Sequence, residues 1–145
     1  MTTEEIINNL RSQEKDLIYK ALYCLDNIFD SYYQFNEQTF MTIMDSMISL
    51  CISPEIYEDR ELFEELLGVL ESSSGHNGID KVNFDPLVEL FGEKQFSDHL
   101  WRLVIILGFS LQPKYINFLE SIITDDNFLK KEIADAIFEL KHSRY

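Results

Sequence analysis

Cysteine is scarce in this sequence: two in 145 residues, Cys24 and Cys51, each inside an apolar stretch. They read as buried thiols rather than a disulfide, and the chain as reduced. Glycine (5) and proline (3) are too few for a many-turned all-β fold. Basic residues are also few, 12 Lys and Arg against 26 Asp and Glu, for a net charge of −14. That balance excludes nucleic acid and anionic membrane surfaces as partners, since both are held by Lys and Arg. The longest apolar run, Leu103 to Phe109, falls far short of the roughly 20 residues of a membrane span. The opening Met1-Thr2-Thr3-Glu4-Glu5 lacks the basic region and apolar run of a secretory signal. The expectation is a cytoplasmic protein.

Hydrophobic residues, in contrast, make up 46% of the chain and aromatics 13%, which excludes disorder. The length suits one domain, residues 1–145. Helical periodicity runs throughout. Thr2 and Glu5 form a capping box for a first helix. A second, from about Gln13 to Tyr33, aligns Leu17, Ala21, Cys24, Leu25, Ile28 and Tyr32 as its inward stripe. Asn36 caps a third, with Phe40, Ile43, Met44, Met47, Ile48 and Cys51 inward, and Pro54 ends it. Met41, Met44 and Met47 read as core filler.

Asp59 opens a fourth helix carrying Leu62, Phe63, Leu66, Leu67 and Leu70, and the polar stretch Ser72 to Asp80 is a loop. Asp85-Pro86 marks a cap and first helical residue ahead of Leu87, Leu90 and Phe91. The sixth helix, Phe96 to Leu111, is apolar almost all round and therefore the most buried, with Trp101 packed inside. Pro113 starts a seventh with Ile116, Leu119, Ile122 and Ile123. Asp126 caps an eighth with Leu129, Ile133, Ala136, Ile137 and Leu140. No segment alternates with period two. The fold class is all-α, a right-handed array of about eight helices, either a helical-repeat solenoid or an irregular bundle.

A repeat of 33 residues aligns Phe63, Leu67 and Leu70 with Phe96, Leu100 and Leu103, and these with Leu129, Ile133 and Ala136. Within it, Leu107 to Gln112 closes one helix at a small-residue turn. Tyr115, Ile116 and Leu119 follow, then an Asp/Asn loop and the Ala-containing helix Phe128 to Ile137. This stretch resembles a HEAT-like repeat. Small acidic HEAT-like proteins of this length resemble bacterial immunity proteins, which neutralise a cognate toxin domain. The resemblance implies a cognate toxin domain as partner. The excess of acidic residues favours a basic partner, or merely solubility, and a monomer when free, with no cofactor, is expected. A general HEAT-like adaptor without inhibitory activity is the alternative that the resemblance also admits.

Catalytic and metal patterns are missing. His-Glu-x-x-His, Cys-x-x-Cys and Gly-x-Ser-x-Gly do not occur. His99 beside Asp98 reads as a half-exposed helix-face residue, His76 as part of a polar turn, and His142 has no assigned role. Asp80, Asn83 and Asp85 lack the alternating ligands and central Gly of a calcium loop, so they read as a turn into a helix cap.

Charge is lopsided. Residues 1–75 hold 15 acidic and 4 basic side chains, residues 76–145 hold 11 and 8. The densest acidic run is Glu55, Glu58, Asp59, Glu61, Glu64 and Glu65, interrupted by Arg60 and carrying Tyr57. Part of it suits the positive end of a helix. The rest forms a candidate docking surface for a basic protein, with Tyr57, Tyr32 and Tyr33 as aromatic anchors. On this expectation the carboxylates occlude the phosphate-binding cleft of a nuclease-type toxin.

Overall fold

Four helix starts are fixed by the side chains that the sequence marks for them. In the computed structural model, which describes residues 1–142, the Glu5 N–H donates to Thr2 Oγ1 (3.1 Å) and the Thr39 N–H to Asn36 Oδ1 (2.9 Å). The Leu62 N–H donates to Asp59 Oδ1 (3.2 Å), and the Phe128 and Leu129 N–H groups to Asp126 Oδ1 (2.9 and 3.3 Å). Each satisfies a backbone donor that a helix start leaves orphaned. The helices are α1 (Thr3–Leu10), α2 (Lys15–Asp30), α3 (Glu37–Cys51), α4 (Pro54–Tyr57), α5 (Arg60–Ser72), α6 (Asp85–Lys94), α7 (Leu100–Gly108), α8 (Ile116–Ser121) and α9 (Asn127–Lys141). Three 3-10 turns, Ser73–Gly75, Ile79–Lys81 and Pro113–Tyr115, complete the order, and the described residues contain no strand. The fold is all-α. No helix among the described residues is long and apolar enough to cross a membrane.

Helix stops differ from the expectation, and the shortage of glycine explains how. Gln13 (φ 65°), Tyr32 (62°), Gln95 (50°) and Leu111 (61°) take the left-handed conformation that glycine supplies elsewhere. α2 therefore spans Lys15–Asp30 rather than Gln13 to Tyr33, and Tyr32 leaves the predicted inward stripe for solvent. The buried face of α2 is Ile18, Ala21, Leu22, Leu25 and Phe29; Leu17, Cys24 and Ile28 flank it half-buried. Pro54 does not merely end α3 but starts the extra helix α4. α7 begins at Leu100, so Phe96 lies in the preceding turn and the 33-residue alignment fails there. Leu70, Leu103 and Ala136 are nonetheless all buried. Ile123 follows the end of α8 and is fully exposed, not inward. Asp85 is the first residue of α6 rather than its cap.

α2 packs on α5, α5 on α7, and α7 on α9, while α1 covers α2 and α3, α3 braces α4 and α5, and α8 lies on α9. Two contacts give the direction of the first pair. Lys15 Nζ meets Asp59 Oδ2 at 2.8 Å where α2 and α5 begin, and Ser72 Oγ donates to Asp26 Oδ1 at 2.9 Å where both near their ends. α2 and α5 run parallel. One connected core joins all of this, with Phe40, Phe63, Phe84, Leu103 and Leu107 fully enclosed. Gly108 permits a close approach of α7 to α9: a Cβ there would sit 2.9 Å from Ala136 Cβ on α9. Cys51 is enclosed and burial pushes its thiol up to about 12, whereas Cys24 is only half-buried.

Tyr115 ties the turn before α8 to α6. Its hydroxyl donates to Asp85 Oδ1 (2.8 Å) and accepts from the buried Phe84 N–H (2.9 Å). Tyr115→Phe leaves that N–H without a partner, and a loss of about 1–3 kcal/mol is expected, measured by urea denaturation.

Candidate functional site

The acidic run turns the corner from α4 into α5, and helix geometry splits it. Asp59 is the α5 cap and is also paired with Lys15. The hydrogen bond from Lys15, followed by the one from the Leu62 N–H, holds its carboxyl below the usual range. Glu64 faces α7, 3.3 Å from Arg60 Nε and 4.0 Å from His99 Nδ1. Arg60 also reaches Asp98 (3.6 Å), and on the same flank Arg102 lies 3.7 Å from Glu71. The α7 side of α5 is thus internally neutralised. Glu61 and Glu65 lie toward α2, and no ion pair engages them among the described residues. Together with Asp59 they act on Tyr19, whose hydroxyl is pushed up first by burial and then by Glu61, Asp59 and Glu65.

Tyr19 is a site residue that the sequence reading missed. It stands 40 to 46 positions from the carboxylates that act on it, so no local pattern marks it.

The remaining members fall elsewhere. Glu58 is exposed where α4 ends. Glu55 departs from the group and lines a separate cavity with Arg11, Asp45 and Ser46. Tyr57 is half-buried, its ring 5.5 Å from Phe96 in an edge contact, with Lys94 Nζ 5.8 Å from its centroid. It braces α4 against the turn before α7 instead of projecting as a free anchor. Tyr32 and Tyr33 are 84% and 57% exposed.

The histidines are placed differently from expectation. His76 is buried, stacked on Phe40 with centroids 3.6 Å apart, and its Nδ1 accepts from the Gly78 N–H at 3.1 Å. Its Nε2 has electrostatic contact with the Phe35 carbonyl but no hydrogen bond of ordinary geometry. His99 is buried edge-on to Phe63 (5.1 Å), in the turn before α7 rather than on a helix face. Its neighbour Asp98 turns away to Arg60, so the two do not form a dyad. No group of three or more His, Cys, Asp or Glu among the described residues is disposed to hold a metal ion.

Burial lowers both histidines from their ordinary 6.5, with Glu64 and Asp98 opposing the effect at His99 and Arg60 and Arg102 adding to it. Asp85 lies below its ordinary 3.8 because Tyr115 and then Lys114 bond it. These shifts share one sign. The unfolded chain takes up protons that the folded chain refuses, so stability is full above pH 6.5 and falls as the pH drops below it. A second loss follows below about pH 4, the ordinary carboxylate range, as Asp59 and Asp85 protonate. Thermal melts from pH 8 to 4 are expected to show the first step, and a His76→Gln/His99→Gln variant to lack it.

Compared with protein families, with curated proteins and with solved structures, the chain matches none.

Proposed function

We propose that the chain is a non-catalytic binding protein for a basic protein partner, acting as an immunity protein that neutralises a cognate toxin domain by occlusion. The observation that carries this reading is the exposed acidic corner. Glu58, Glu61 and Glu65 have no cation partner among the described residues, while the other flank of α5 balances its own charges. Uncompensated carboxylates of one sign steer a basic surface into encounter and raise the local potential where it docks. Small size, acidity and an all-helical fold agree with the resemblance to immunity proteins. A nuclease-type toxin suits the charge, since its phosphate-binding cleft is basic.

The test is protection. The product of the reading frame immediately upstream is expressed alone, and then with this chain at equal dose. Growth arrest by the first and relief by the second are expected, with relief lost on Glu58→Lys/Glu61→Lys/Glu65→Lys. Full relief by a folded charge-reversal variant removes the acidic corner from the mechanism, and no relief by the wild type removes the immunity reading.

A further inference from the structure

The parallel packing of α2 and α5 carries the acidic character far beyond the run that the sequence displays. Tyr19, Tyr23, Asp26 and Asp30 are spaced four, three and four residues apart and so form one stripe of α2. Glu61, Glu65 and Ser72 lie on the adjoining edge of α5. The Lys15–Asp59 pair closes one end of this seam, and the Ser72–Asp26 hydrogen bond sets the register near the other. Eleven residues of helix separate Lys15 from Asp26, about 17 Å at 1.5 Å per residue. Tyr23 is 75% exposed midway.

The seam ends in a cavity of about 470 Å³ between the α2–α3 connection and the Ser73–Gly75 turn. Asp30, Phe29, Tyr32 and Tyr33 are among the residues that line it, and no Lys or Arg is. The exposed Asp30 carboxylate is in no side-chain hydrogen bond or ion pair among the described residues. Behind the exposed Tyr33 the rings pack in series: Tyr33 edge-on to Phe35 (5.2 Å), Phe35 on Phe29 (6.1 Å), and Phe29 on Phe40 (6.2 Å). His76 forms part of the lining and is buried, its Nδ1 held by the Gly78 N–H.

We infer that this cavity is a receptor site for an arginine side chain of the basic partner, and that the α2–α5 seam holds the flanking part of the same segment. A guanidinium is planar and weakly hydrated, so it stacks on a tyrosine face while its N–H fork meets a carboxylate. The cavity lining holds both groups, and the seam adds the carboxylates of Asp26, Glu61 and Glu65 along a track of helical-segment length. An ammonium fits less well, having no plane to stack.

The inference rests on the proposed basic partner, and the experiment separates the two. Full-length, ¹⁵N-labelled protein is titrated with acetyl-arginine amide, with acetyl-lysine amide and with a hexa-arginine peptide, at fixed ionic strength. Saturable amide shifts at Asp30, Tyr33 and Gly75 are expected with acetyl-arginine amide and at least several-fold weaker ones with the lysine amide. The peptide is expected to extend the shifts to Tyr23, Tyr19, Glu61 and Glu65. Asp30→Asn and, separately, Tyr33→Ala each lower peptide affinity about tenfold. Asp30→Asn keeps the shape of an exposed side chain, so it guards against a folding effect. Peptide binding unchanged in both variants, or centred on Glu64 and Glu71, overturns the inference while leaving a basic partner in place. Shifts that spread over all carboxylates without saturating overturn it as well. The basic-partner reading fails separately, by the protection assay.

Discussion

Leu103→Asp is expected to yield no folded protein. Leu103 is fully buried in α7, the helix that α5 packs against on one side and α9 on the other. Among the described residues no Lys or Arg is among the buried ones, so an introduced carboxylate has no enclosed cation to pair with. Burying it unpaired costs several kcal/mol on top of the lost apolar contacts. Native domains hold only about 5–15 kcal/mol in reserve. The check is helical circular dichroism with a urea melt. A soluble variant unfolding cooperatively near the wild-type midpoint contradicts the packing described. Ile133→Asp is milder: Ile133 lies on the same helix as the buried Ala136 but is only half-buried, and the carboxylate reaches water.

Phe40→Ala has the second-largest expected effect, a loss of about 3–5 kcal/mol. Phe40 is fully buried, lies flat on His76, and meets Phe29 edge-on. Its ring also stands 3.0 Å from where a Cβ on Gly78 would be, so Gly78 is needed for the Asn77–Gly78 backbone to close over it. Truncation therefore removes the platform of the Ser73–Lys81 segment as well as one core side chain. Hydrogen exchange at Gly78 and Ile79 is expected to quicken more than at Leu66 or Leu67, beyond the global loss of stability. Equal quickening at both places contradicts a local role for the stack.

Four helix starts, at Thr2, Asn36, Asp59 and Asp126, were legible because a cap is a local bargain between a side-chain oxygen and the N–H two or three residues onward. α2, α6, α7 and α8 have no side-chain cap hydrogen bond, and their starts lie elsewhere than expected. Stops were less legible. With five glycines in the chain, left-handed turns fall to Gln13, Tyr32, Gln95 and Leu111, residue types that carry no stop signal. The histidines were misplaced for another reason. His76 stands in a Ser/Gly/Asn stretch that looks solvated, and its burial depends on Phe40, 36 positions earlier. Likewise the acidic run is one object along the chain and three in space. Glu55 joins Arg11, Glu64 joins Arg60 and His99, and Glu61 and Glu65 join Tyr19. Of these, Glu64 alone is in an ion pair among the described residues, and only the tertiary pairing of α2 with α5 shows that Glu61 and Glu65 face Tyr19.

The account stands most directly on the speed of encounter with the basic partner. Stopped-flow association of the full chain with the proposed partner, the product of the reading frame immediately upstream, is measured from 0.02 to 0.5 M salt, for wild type and for Glu58→Lys/Glu61→Lys/Glu65→Lys. Asp59 is left intact because it caps α5. Steering by these carboxylates predicts an association rate at least about tenfold lower in the variant at the lowest salt. The two curves converge as the screening length shrinks from roughly 20 Å to below about 5 Å, and dissociation rates change little. Equal association rates at 0.02 M salt, in a variant whose melting matches the wild type, contradict the acidic corner as the docking surface.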